Sequence, residues 1–74
     1  MEELIELLAG IRPDVDFASE KNLTADAILD SFDIVTIGSE LNEAYNISIG
    51  VTDLLPENFN SVEDILALIE RKQQ

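Results

Sequence analysis

The segment Leu29-Asp30-Ser31-Phe32-Asp33 concentrates the chemistry this chain can offer: one hydroxyl between two carboxylates, just ahead of an amphipathic run. A serine there can cap a helix, attack an electrophile or accept a covalent group. Nucleophilic catalysis needs a base, yet the chain has no His, and neither Lys21 nor Lys72 stands in a motif that would make it one. The absence of Cys removes disulfides, thiol chemistry of the chain's own and zinc clusters of the usual kind. Acid–base work by paired carboxylates would need a cleft of roughly several hundred Å³ that also shelters a raised pKa, and so short a chain is expected to be too small to build one. Asp14-Val15-Asp16 begins the alternation of a calcium loop, but Ala18 and Ser19 break it. No catalytic residue and no metal ligand is assigned, and the chain is read as a non-enzyme. Taken alone, Asp30-Ser31 is a helix cap worth about 0.5–2 kcal/mol.

Composition sets the bounds around that segment. The chain has 74 residues, 16 Asp plus Glu against 4 Lys plus Arg, and a formal charge of −12. It is read as one small domain over residues 1–74, since a chain of this size buries only about 60% of its unfolded surface. The negative field repels phosphate backbones and anionic membranes, so nucleic acid is not an expected partner and proteins with basic patches are. Charge this dense could signal disorder, but 46% of residues are hydrophobic and they recur with a clear period, which argues for a packed core. No apolar run approaches about 18 residues and no basic, apolar leader opens the chain. The expectation is therefore a cytoplasmic monomer with no membrane span. Two glycosylation sequons, Asn22-Leu23-Thr24 and Asn46-Ile47-Ser48, are read as chance matches.

The elements that must position Ser31 follow from periodicity. Leu4, Leu7, Leu8 and Ile11 predict a first helix, with Glu2, Glu3 and Glu6 where its dipole favours anions and Gly10 and Pro13 near its stop. From Pro13 to about Asp30 no period persists, which predicts a long loop pinned by Val15, Phe17, Leu23 and Ile28. Asp30 or Ser31 then offers the N-cap of a second helix to about Tyr45. Its core stripe is Ile34, Ile37, Leu41, Ala44 and Tyr45, while Phe32 and Val35 lie outside that stripe. Ile47-Ser48-Ile49 alternates but is too short for a strand. Thr52 to Leu55 predicts one helical turn before Pro56, and Ser61 with Asp64 resembles a capping box for a last helix carrying Val62, Ile65, Leu66 and Ile69 inward. The fold class is all-α: a bundle of three main helices plus one short helix, with a long loop between helices one and two.

In that context the serine segment resembles a known signature. Asp30-Ser31-Phe32-Asp33, followed by Val35, Ile37, Leu41, Tyr45 and Ile49, is similar to the carrier-protein family that includes acyl, aminoacyl and peptidyl carriers. The likeness extends over nearly the whole chain, from the acidic first helix and long loop to the closing helix. It implies that Ser31 carries 4′-phosphopantetheine, donated from coenzyme A by a phosphopantetheinyl transferase. The arm's thiol would hold acyl groups as thioesters, which fits a chain with no Cys of its own. A phosphodiester on Ser31 would also sit at a helix N-terminus, where free N–H groups and the dipole favour an anion.

The resemblance further implies partners: an acyl-loading or adenylating ligase and downstream acyl-processing enzymes with basic patches. Asp30, Phe32, Asp33, Val35 and Glu43 are the expected contacts, with the two aspartates flanking the arm. An acyl carrier of fatty-acid, polyketide or related biosynthesis is the leading expectation. Phe32, Thr36, Gly38, Ser39 and Asn42 depart from fatty-acid carriers. Val51-Thr52-Asp53 and Asn58-Phe59-Asn60-Ser61 look closer to stand-alone D-alanyl or aminoacyl carriers, which remain the alternative. An unmodified acidic interaction module is the reading from another class.

Overall fold

The computed structural model describes residues 2–74 and contains three α-helices: α1 (Glu2–Ile11), α2 (Ser31–Tyr45) and α3 (Val62–Lys72). Between α2 and α3 run two single 3-10 turns, Val51–Asp53 and Pro56–Asn58. The expected single short helix is thus split. Leu55, preceding Pro56, is held extended at φ −99° and ψ 140°, because the proline ring disfavours the helical region for the residue before it.

Each helix buries one stripe. Leu4 and Leu8 of α1, Ile34, Ile37 and Leu41 of α2, and Val62, Ile65, Leu68 and Ile69 of α3 meet in one core with Phe17, Leu23, Leu29, Ile47, Ile49 and Phe59. Leu68 replaces the expected Leu66, which is only partly buried, and Ala44 faces solvent instead of the core. Ile47 and Ile49 do alternate inward around an exposed Ser48, yet no strand forms among the described residues. Their backbone finds a side chain instead of a neighbouring strand. The Ile49 N–H donates to Asn42 Oδ1 at 2.6 Å, and Asn42 Nδ2 donates back to the Ile49 carbonyl at 3.2 Å.

The loop between α1 and α2 is long but fastened. Phe17, Leu23 and Leu29 are buried anchors, and Val15 and Ile28 pack partly against the core. Leu23 N–H donates to the Asn60 carbonyl at 2.8 Å, while Asn60 Oδ1 accepts the N–H groups of Thr24 and Ala25, each at 3.1 Å. A tight turn then closes the loop, with Ala27 N–H on the Thr24 carbonyl and Leu29 N–H on the Leu23 carbonyl. Ala27 sits there in the left-handed region at φ 58°. This turn delivers the chain to the start of α2.

Candidate functional site

The start of α2 is fixed by its neighbours on both sides. Leu29 and Ile34 occupy the positions of a hydrophobic staple, before the cap and one turn in, and both are buried. Asp30 is the N-cap: its Oδ1 accepts the Asp33 N–H at 2.9 Å, and Asp33 Oδ2 accepts the Asp30 N–H at 3.2 Å. The sequence left open whether Asp30 or Ser31 capped the helix. With Asp30 in that role, Ser31 becomes the first helical residue, exposed, and its hydroxyl is not the cap.

The reciprocal cap also determines which backbone donors stay open. A helix leaves its first N–H groups without intrahelical partners. Here the cap takes those of Asp30 and Asp33, and Ile34 N–H makes the first helical bond to the Asp30 carbonyl at 3.1 Å. The N–H groups of Ser31 and Phe32 remain at the positive end of a 15-residue helix. A phosphodiester on Ser31 Oγ fits this end, since the open amides and the dipole both favour an anion there.

One expected contact is corrected. Asp33 is only 9% exposed and turns inward, where Arg12 Nη1 donates to its Oδ2 at 2.6 Å. Its carboxylate is spent within the chain, on the cap and on the residue following α1, and does not stand outward as an expected partner contact would. Arg12 also forks onto Asp14, with Nε to Oδ1 at 3.0 Å and Nη2 to Oδ2 at 2.8 Å. The hydrogen bond from Arg12 holds the Asp14 carboxyl below its ordinary pKa. The remaining expected contacts stand outward: Phe32 is 77% exposed and Val35 54%, and Asp30 and Glu43 are exposed. Val51 and Leu55 in the following loop are also exposed apolar side chains, outside the expected set of contacts.

Beside Arg12 lies an open groove of about 490 Å³ lined by Arg12, Asp14, Val15, Asp16, Glu20, Ala27 and Ile28. So the chain does form a space of the size its length was expected to preclude. The Asp14 carboxyl on its wall is held below its ordinary pKa by the hydrogen bond from Arg12, the opposite of a sheltered general acid. Among the described residues no cluster of three or more carboxylates could hold a metal ion, and no helix is long and apolar enough to cross a membrane.

Residues 2–69 match the family model described as a phosphopantetheine attachment site. No curated protein and no solved structure gives a significant match.

Proposed function

The chain belongs to the phosphopantetheine-attachment family of carrier proteins, whose prosthetic group is covalently bound 4′-phosphopantetheine, and on that premise we propose that Ser31 is its attachment point. One observation carries the assignment. Asp30 supplies the cap of α2, which leaves Ser31 exposed at the first helical position beside two open amides. When bound, the group supplies a thiol on which cargo is held as a thioester. The chain's own residues fix where that arm starts: the reciprocal Asp30–Asp33 cap sets the first turn, and the Ser31 and Phe32 N–H groups favour the phosphodiester charge.

In this reading the protein is a monomeric cytoplasmic carrier without a catalytic step of its own. It shuttles acyl intermediates of fatty-acid, polyketide or related biosynthesis between a loading enzyme and processing enzymes. D-alanyl or aminoacyl cargo loaded by an adenylating ligase is the second reading. Its support is the departure of Phe32, Thr36, Gly38, Ser39 and Asn42 from fatty-acid carriers; at Gly38 an added Cβ would lie 2.9 Å from Leu54 Cδ2, so the Leu54 side chain packs where those carriers place a larger residue. Phe32 and Val35 form the apolar part of the docking face, with Asp30 and Glu43 its acidic part.

The test is incubation of the protein with coenzyme A, magnesium and a broad-specificity phosphopantetheinyl transferase, followed by intact mass. The wild type is expected to gain one phosphopantetheinyl group and Ser31→Ala none. A wild type that gains no mass would leave the unmodified interaction module as the better reading. A gain that persists in Ser31→Ala would move the site elsewhere.

A further inference from the structure

We propose that Arg12 is the positioning residue of the attachment site, holding Ser31 in place by neutralising the inward carboxylate of Asp33; the proposal rests on Ser31 being the attachment point. Only four residues of the chain are basic. Lys21 pairs with Glu63, Lys72 with Asp53, and Arg71 reaches Asn58, all away from the start of α2. Arg12, just past α1, is the cation that serves this site. Its Nη1 donates to Asp33 Oδ2 at 2.6 Å and also lies 3.3 Å from the Ile28 carbonyl, while the rest of the guanidinium is clamped by Asp14. One planar group thereby joins the end of α1, the loop three residues before Ser31 and the helix two residues after it.

The consequence for Ser31 is electrostatic as well as geometric. Asp33 Oδ2 accepts from Arg12 and from the Asp30 N–H at once, so the ion pair and the cap share one oxygen. Remove the guanidinium and a carboxylate nine-tenths buried loses its counter-charge, a state that relaxes by swinging the group into solvent. That movement breaks the Asp30 N–H bond and loosens the turn in which Ser31 is the first residue. It also brings a second free negative charge toward the position where a phosphodiester must form beside Asp30. Arg12 thus makes an anion acceptable at a site flanked by acids.

Three variants test this: Arg12→Gln, Asp33→Asn and the double variant. Each is measured for initial rates of coenzyme A-dependent modification by intact mass and for amide hydrogen exchange by NMR. Arg12→Gln is expected to lower kcat/KM for modification by about tenfold or more, with exchange accelerated at Asp30 and Asp33 but not at Leu41 in the core. In the double variant the amide oxygen introduced by Asp33→Asn still accepts the Asp30 N–H and no charge is stranded, so modification and slow exchange should both return close to wild type. Asp33→Asn alone should keep the slow Asp30 exchange. The proposal is overturned if Arg12→Gln is modified at the wild-type rate. It is equally overturned if exchange rises as much at Leu41 as at Asp30, since that is loss of the whole fold. If Arg12→Gln does not fold, the double variant decides: folded but still slow, it would place Arg12 against the transferase instead. A wild type that takes no group at all would refute the Ser31 reading, while the exchange data would still judge the Arg12–cap coupling.

Discussion

Phe32 and Leu41 lie on the same helix, and their surroundings assign them opposite roles. Leu41 is fully buried, so Leu41→Ala is expected to cost about 2–5 kcal/mol of stability. Phe32 is 77% exposed, so Phe32→Ala should change stability by only about 0.5 kcal/mol in either direction. If Phe32 is a docking contact, its removal should still slow loading or transfer by partner enzymes. Urea denaturation of both variants, set beside a loading assay on Phe32→Ala, checks the pair. A large stability loss with normal loading would place Phe32 against the core. Asp33 shows why residue type alone misleads here: a carboxylate two positions after the serine reads as a surface contact. Its role is set by Arg12, 21 residues earlier, a pairing that no local pattern reveals. The reciprocal cap was more accessible. Asp30 and Asp33 have the same spacing as Ser61 and Asp64, where Asp64 N–H donates to Ser61 Oγ at 3.1 Å but the Asp64 carboxylate accepts the Ser61 hydroxyl at 3.0 Å and not its N–H, so that box forms only by half.

The start of α2 depends on the turn before it, and that turn contains a strained residue. Ala27 occupies the left-handed region, which costs an L-residue roughly 1–2 kcal/mol. Glycine would remove that cost and return about 0.5–1 kcal/mol of it as lost chain entropy. The Ala27 methyl is exposed and contributes little packing. Ala27→Gly is therefore expected to stabilise the protein by about 0.5–1 kcal/mol, read as a higher urea midpoint at unchanged m-value. A lower midpoint would show that the turn needs the stiffness of a Cβ. Helix positions were legible because apolar spacing, Pro13, Pro56 and the acids near helix starts all act locally. The loop's three buried anchors were less so. Phe17 and Leu23 stood out as isolated apolar residues, but Leu29 was recognisable only as the staple partner of Ile34. The split 3-10 segment turns on Leu55, whose extended backbone follows from the proline after it. Asn42 was visible only as a departure from an acidic position. Its clamp on Ile49 depends on a chain reversal through Asn46, a non-glycine residue at φ 53°.

At the scale of the whole molecule, four basic residues cannot neutralise sixteen acids, so the folded state carries substantial self-repulsion. Raising ionic strength from 0.01 to 1 M shortens the Debye length from about 30 to about 3 Å, which relieves that repulsion. The exposed pairs it weakens contribute little. Tm is therefore expected to rise with sodium chloride, measured by circular dichroism, whereas dominance of the ion pairs would make it fall. Acid acts on the same pairs from the carboxylate side. Hydrogen bonds from Arg12, Lys72 and Lys21 hold Asp14, Asp53 and Glu63 respectively below their ordinary pKa values. A carboxylate depressed in the folded state contributes stability that is fully present above its unfolded pKa and lost as pH falls through the folded one. These three groups should thus cost nothing between pH 7 and about 5, and their contribution should disappear below about pH 4. Neutralising each in turn as Asn or Gln should flatten the acid limb of a Tm-against-pH curve. An acid limb unchanged in all three variants would assign it to other carboxylates. The same charge has a second, opposite salt dependence. If partner enzymes meet this protein through basic patches, the salt that raises its Tm should slow their encounter with it, because screening acts on both fields alike. A loading rate that falls across the salt range in which Tm rises would separate charge retained for docking from charge the fold would be more stable without.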